Sequence, residues 1–304
     1  MTRELQAYVA EALATDIPDE VATIARLLAE RLGGAAVLFY GSVLRTRTLG
    51  DILDFYVLTH RRTGTPLRRL GLRWLWPDIS YHEIAVGRQV IRAKVATMPF
   101  DTFEMATAGT TLDTTVWTRF TQPAALVWVD RPASRLRAVR AVAAAIVTAA
   151  RFAAVLGPER GSPRDYWLAL LRETYRTEFR VEAPGREAQI VAHAPVHYDR
   201  ALPLAWAAAG IAYAQRGETL VPTIGFELCR ALAEQWMLRS AFGKFLNIAR
   251  LIKAASTFDG AARYGLYKIE RHTGVRIQLT PWRERHPVLA APAVLWRVLR
   301  ATPL

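Results

Sequence analysis

Residues 35–58, "AAVLFYGSVLRTRTLGDILDFYVL", decide how the fold is read. An apolar run over 35–40 ends at a glycine–serine pair, and a second apolar run over 52–58 carries one aspartate, Asp54, inside it. The pattern predicts a strand, a tight turn, a short helical or loop segment, and another strand. Gly41 lets the backbone approach another group closely because no Cβ intervenes. Ser42 adds a hydroxyl, and successive N–H groups near a helix start make a nest for an anion. A charge inside "ILDFYVL" is costly unless a cation or hydrogen bonds offset it, so Asp54 is the residue most in need of a partner. On a strand, side chains two apart share a face. Asp54 therefore sides with Ile52, and Asp51 joins it only if the chain bulges near Gly50–Asp51. Two readings stay open at this point: a site for an anion and its metal, or an ordinary turn with a strand-capping acid.

Outward from this stretch, residues 3–32 read as helices with a break near "TDIPDE" and an end at Gly33–Gly34. Further strands are predicted at "ISYHEIAV" (79–86), "VIRAKVAT" (90–97) and "AALVWVD" (124–130), with helices between the last two. From about Ala133 onward the chain reads as mostly helical, broken at "VEAPGREAQ" (181–189). The expected fold class is α+β: a mixed sheet with helices over 1–131, followed by a mainly α-helical part over 132–304. There is no internal repeat and no low-complexity segment.

The 304 residues are 52% hydrophobic and 22% charged, a globular balance. A single cysteine, Cys229, excludes an internal disulfide framework and suits a reducing compartment. The N-terminal residues lack the apolar core of a secretory signal. The most apolar stretch, 141–157, is Ala-rich, interrupted by Arg151 and shorter than the roughly 20 residues a spanning helix needs, so no membrane crossing is expected. Forty Lys and Arg against 27 Asp and Glu give a formal charge of +13, which attracts polyanions: nucleotides, nucleic acid or anionic lipid. No aromatic–basic interleaving forms a nucleic-acid module. No G-x-S-x-G supports Ser/His/Asp catalysis, and the six histidines show no zinc spacing.

Turn, hydroxyl and strand carboxylate together resemble the layout of the nucleotidyltransferase superfamily (polymerase-β-like fold): h-G-[GS], about ten residues, then acids on the next strand. Here a single aspartate sits in the apolar setting, as in one branch of that superfamily. The "YGSV" (40–43) and "ILDFYVL" (52–58) segments resemble the mitochondrial-type, peripheral CDP-diacylglycerol synthases, also called mitochondrial translocator assembly and maintenance proteins. Further pieces follow in the same order. Residues 91–129 place Lys94 and Trp117 in register with that family; "RETYRTEFRVE" (172–182) places Tyr175, Glu178 and Arg180; and 238–268 resembles its C-terminal tail. Val43 stands where the family has a second glycine, Glu178 where it has an aspartate, and the tail lacks the family's "TAG". The chain thus resembles a divergent prokaryotic relative.

The resemblance implies transfer of CMP from CTP to phosphatidic acid, with Mg²⁺ as cofactor. Tyr40, Gly41 and Ser42 would then cradle the phosphates with Arg45, Arg47 and Arg180. Asp54, Asp51 and Glu83 would be metal carboxylates, and Lys94 and Glu178 would join Asp54 and Asp51 in catalysis. Each has a plainer role available: Lys94 as a strand-end lysine reaching water, Glu83 as a solvated edge residue, Glu178 and Arg180 as a surface ion pair. A lipid acceptor requires the protein at a surface. "GKFLNIARLIKAAS" places Phe245, Ile248, Ile252 and Ala255 on one helical face, flanked by Lys244, Arg250 and Lys253, which is read as contact with an anionic membrane. The expected location is cytoplasmic, peripheral to the inner membrane face. Transfer to a soluble acceptor, or a non-catalytic nucleotide binder, are the competing expectations.

Overall fold

The computed structural model describes residues 2–46, 52–61, 75–87, 89–178, 185–257, 260–273, 275–285, 289–290, 293–294 and 296. The expectations for Asp51, Arg47 and Arg180, and for the side chains of Arg45, Ile252 and Ala255, lie outside the described residues. In chain order the elements are helices α1 (Arg3–Leu13) and α2 (Asp19–Leu32), strand β1 (Gly34–Tyr40), α3 (Ser42–Thr46), and strands β2 (Leu53–Thr59), β3 (Asp78–Val86) and β4 (Gln89–Pro99). Then come α4 (Phe100–Thr107), α5 (Thr115–Arg119) and β5 (Ala124–Val129). The remainder is α6 (Pro132–Leu156), α7 (Pro163–Thr177), α8 (Arg186–Ala192), α9 (Pro195–Ala209), β6 (Ala212–Arg216), β7 (Thr219–Thr223), α10 (Phe226–Thr257), α11 (Ala261–Thr273) and α12 (Pro281–Arg285).

Local chemistry sets several of these boundaries. The Thr2 hydroxyl caps α1 by accepting from the Leu5 amide. Gly33, at φ +65°, closes α2 in the left-handed region. Ser162 and Asp165 form a reciprocal capping box at the start of α7, where Pro163 takes the first turn.

The main sheet is mixed, in the order β3-β4-β2-β1-β5. β1 lies antiparallel to both β2 and β5, β2 runs parallel to β4, and β3 pairs antiparallel with β4 at one edge. Alternation splits its residues between two layers. Val37, Phe39, Leu53, Phe55, Val57 and Val95 pack on the α2 stripe of Val21, Ile24, Ala25 and Leu28. Leu38, Tyr40, Tyr56, Leu58, Ala96 and Met98 join the larger cluster with α1 and the helices from α4 onward. The molecule is therefore mixed α/β, a five-stranded mixed sheet with helices and a helical C-terminal part.

Helix α6 is the centre of the second layer and touches α1, α4, α5, α7, α9, β1 and β5. One apolar cluster runs from Leu5 through Tyr56 and Trp117 to Trp206 and Trp236. Packing thus continues across residues 131–132, where the strand-containing and helical parts meet in sequence. Helix α6 is also the described helix long and apolar enough to cross a membrane, and most of its apolar window is buried here as core. The hairpin β6–β7, turned at Gly217–Glu218, interrupts the tract read from sequence as mostly helical.

Candidate functional site

Strand register builds the site. Ala124, Tyr40, Asp54, Lys94 and Tyr81 are successive cross-strand partners, one on each of the five strands. Asp54 shares a face with Tyr56, while its neighbours Leu53 and Phe55 are buried on the α2 side. The carboxylate therefore leaves the central strand towards the helices that follow. Directly after Tyr40 the chain turns at Gly41, whose φ is +97°. A Cβ at position 41 would stand 2.7 Å from Asp54 Oδ2 and 3.3 Å from its Cβ. Glycine is required twice over at this point, by backbone conformation and by the carboxylate beside it.

The contrast with Gly217 makes this testable. Gly217 has φ +60° with nothing within 4 Å of an added Cβ, so Gly217→Ala bears the left-handed penalty alone, about 1–2 kcal/mol. Gly41→Ala must also displace Asp54. Urea denaturation is expected to show it at least about 1 kcal/mol less stable than Gly217→Ala.

A cavity of about 190 Å³ opens over the turn. Tyr40, Gly41, Ser42 and Asp54 line its sheet side, Arg119 and Gln122 line it at the end of α5, and Tyr175 and Arg186 come from α7 and α8. Arg119 was not singled out from sequence, yet it is the electrostatic centre. Its guanidinium lies 4.9 Å from the centroid of the Tyr40 ring. Burial works against its charge, but Tyr40, Tyr56, Asp54 and Glu178 outweigh that and raise its pKa above the arginine value. Burial pushes the Tyr40 phenol up against the pull of Arg119, so it remains a protonated donor at neutral pH. The detectable sequence signal was "VWTRFT", a cation inside an aromatic and apolar run, the same signal that marked Asp54.

The other expected residues distribute as follows. Lys94 is partly buried beside Asp54 in the register row. Glu178 is buried at the end of α7; Thr114 Oγ1 donates to its Oε1 at 2.5 Å, and its charge bears on Arg119. It belongs to the same electrostatic group as Asp54 without being a solvated surface acid. The structure does not bring Glu83 to Asp54. Glu83 sits two strands away on the edge strand, roughly 10 Å across the sheet. There it accepts from Tyr81 Oη at 3.2 Å and lies 3.5 Å from Arg92 Nε and 3.9 Å from Arg263 Nη1. Among the described residues no group of three or more His, Cys, Asp or Glu side chains converges.

The residues expected to touch a membrane divide by direction. Lys244, Phe245 and Ile248 on α10 face outward, Phe245 being 71% exposed, and Met237 and Phe242 extend the apolar strip. Lys253 turns inward, a correction to its expected place. Its Nζ donates to the Leu75 carbonyl and pairs with the buried Asp78. Arg250 likewise pairs with the buried Asp113 and lies 4.5 Å over the Trp76 ring. Arg239 donates to the carbonyls of Gly109 and Thr111 at 2.6 and 3.0 Å. These cations satisfy interior acids and carbonyls, so they do not flank the apolar strip.

The chain matches no model of a known protein family and no curated protein.

Proposed function

We propose that this protein is a nucleotidyltransferase that passes CMP from CTP to phosphatidic acid, forming CDP-diacylglycerol and pyrophosphate. The observation that carries the reading is the approach of Gly41 to Asp54 at the mouth of a cavity that also presents Ser42 and Arg119. The donor set suits a magnesium ion that arrives with a triphosphate: one carboxylate, Asp54, packed where a Cβ at Gly41 would stand and facing the same cavity as Ser42. A magnesium ion bound there would be held by Asp54 and would supply charge neutralisation on the phosphates.

The chain's own residues do the remaining work by positioning and electrostatics. Gly41 and the Ser42 hydroxyl hold the triphosphate against β1. Arg119, cationic beside the carboxylates of Asp54 and Glu178, faces charge that builds up as the bond to pyrophosphate breaks. The acceptor phosphate oxygen attacks the α-phosphorus, and the α–β bridging oxygen leaves with the electron pair as pyrophosphate. The attacking oxygen of the acceptor phosphate is already ionised at neutral pH, so no residue has to remove a proton from it. Labelled CTP, Mg²⁺ and phosphatidic acid vesicles, incubated with the purified chain, are expected to yield a lipid-linked nucleotide. Absence of transfer from all four nucleoside triphosphates overturns the reading.

A second reading, transfer to a soluble acceptor, draws on the inward turn of Arg250 and Lys253. Without them the outward strip of α10 has a thinner basic margin than a surface-bound amphipathic helix usually carries. Sedimentation with phosphatidic acid vesicles separates the two. The lipid reading expects co-sedimentation that Phe245→Asp abolishes while the melting curve stays unchanged; the soluble reading expects no co-sedimentation of either protein.

A further inference from the structure

We infer that Arg119 and Arg186 form a phosphate clamp on the wall of the cavity opposite the sheet, able to bind a phosphate group without metal. The inference takes its location from the proposed function but is read out independently of it. Described charges lining the cavity are one carboxylate, Asp54, and two guanidinium groups. Glu178 is not among the described lining residues, but it stays charged, since Thr114 is a neutral donor, and its charge acts on Arg119. Asp54 and Glu178 balance the two guanidinium groups among the described residues, so what favours a phosphate is the pair of planar forks at one cavity and not a net charge.

Arg119 is preorganised for this. It is laid over the Tyr40 ring, and its Nε is buried with no hydrogen-bond partner among the described residues. That atom has no exposed surface, so a ligand in the cavity meets the other N–H groups of the fork, whose plane the Tyr40 ring fixes. Arg186 opens α8, where its Nη1 donates to Gln189 Oε1 at 3.0 Å, a bond that steadies the stem and leaves further N–H donors of the fork. Two planar forks match phosphate oxygens in a way that point-charge lysines do not. If Arg119 served only as a bridge between Asp54 and Glu178, none of this would require Arg186 at the same cavity.

The phosphate can come from two sources: the tail of the triphosphate or the acceptor. Calorimetric titration of the full chain in EDTA, with inorganic pyrophosphate in one arm and glycerol 3-phosphate in the other, reads both. Saturable binding of at least one probe is expected. Pyrophosphate binding assigns the clamp to the triphosphate tail, and monoester binding assigns it to the acceptor. Arg186→Gln is expected to weaken that binding about tenfold, and Arg119→Lys to weaken it with an unchanged near-ultraviolet circular dichroism spectrum. Asp54→Asn is expected to bind metal-free phosphate at least as tightly as the parent. No saturable binding to the folded protein, or an unchanged affinity in Arg186→Gln, overturns the clamp. Loss of nucleotide transfer as an activity leaves these titrations intact, so the clamp and the proposed reaction fail separately.

Discussion

Asp54→Asn is expected to lower nucleotide transfer by roughly 10³-fold, the scale set by removing a preorganised electrostatic group from a reaction centre. The substitution keeps the size and shape of the side chain while removing its charge and turning one acceptor oxygen into an NH2 donor. Asp54 sits in the central strand, where every other residue of 53–59 is buried, and its side chain faces the cavity beside Gly41. A purely structural aspartate would give the opposite pattern, with the melting temperature falling and residual activity following the folded fraction. Single-turnover transfer and thermal melting on the same preparation discriminate the two. Retention of more than a tenth of the parent rate in a folded Asn variant removes Asp54 from the chemistry.

The second large effect is on stability. Asp113 is buried, pairs with Arg250, accepts from the Val116 amide at 2.9 Å, and accepts from Thr115 Oγ1 at 2.7 Å. It thus caps α5, the helix that ends in Arg119, and anchors α10 to it. Asp113→Ala leaves the Arg250 guanidinium without this counter-ion in a nearly buried position, and about 3–5 kcal/mol of stability is expected to be lost. Replacing both partners with apolar residues of similar volume is expected to recover most of that, because the uncompensated charge goes as well.

The pH dependence follows from the same contacts. Burial raises the Asp113 carboxyl, but Arg250, the Val116 amide and Thr115 outweigh it, so the folded pKa lies below the ordinary aspartate value. A depressed folded pKa contributes stability in full above the unfolded value, about 3.9. The contribution is lost as pH falls through the lower folded value. Asp113→Asn is expected to flatten that acid limb in urea denaturation below about pH 4.

Much of the architecture was legible because it rests on short-range periodicity. The i, i+3, i+4, i+7 stripe of α2, its glycine stop and the apolar runs of β1 and β2 each announce themselves within a dozen residues. The turn and Asp54 were legible for a related reason: a glycine at a strand end and a charge in an apolar run are local anomalies. The β6–β7 hairpin escaped because its strands are five residues long and mostly exposed, giving little alternation to read. Arg119 carried a local signal that was passed over. The direction of Lys253 and Arg250 carried none. Their partners, Asp78 and Asp113, are 175 and 137 residues away in sequence, so only the fold decides whether those cations face water or the interior.

Helix α10 therefore acts on the sheet from the far end of the chain. A protein ending before residue 226 would lose Lys253 from Asp78 at the start of β3, and Arg250 from Asp113 at the cap of α5. It would also open the carbonyls of Gly109 and Thr111, which Arg239 now covers. Shortening the polypeptide to its strand-bearing half would thus subtract counter-charge from the half that remains, and the fragment is expected to fail as an independently folding unit.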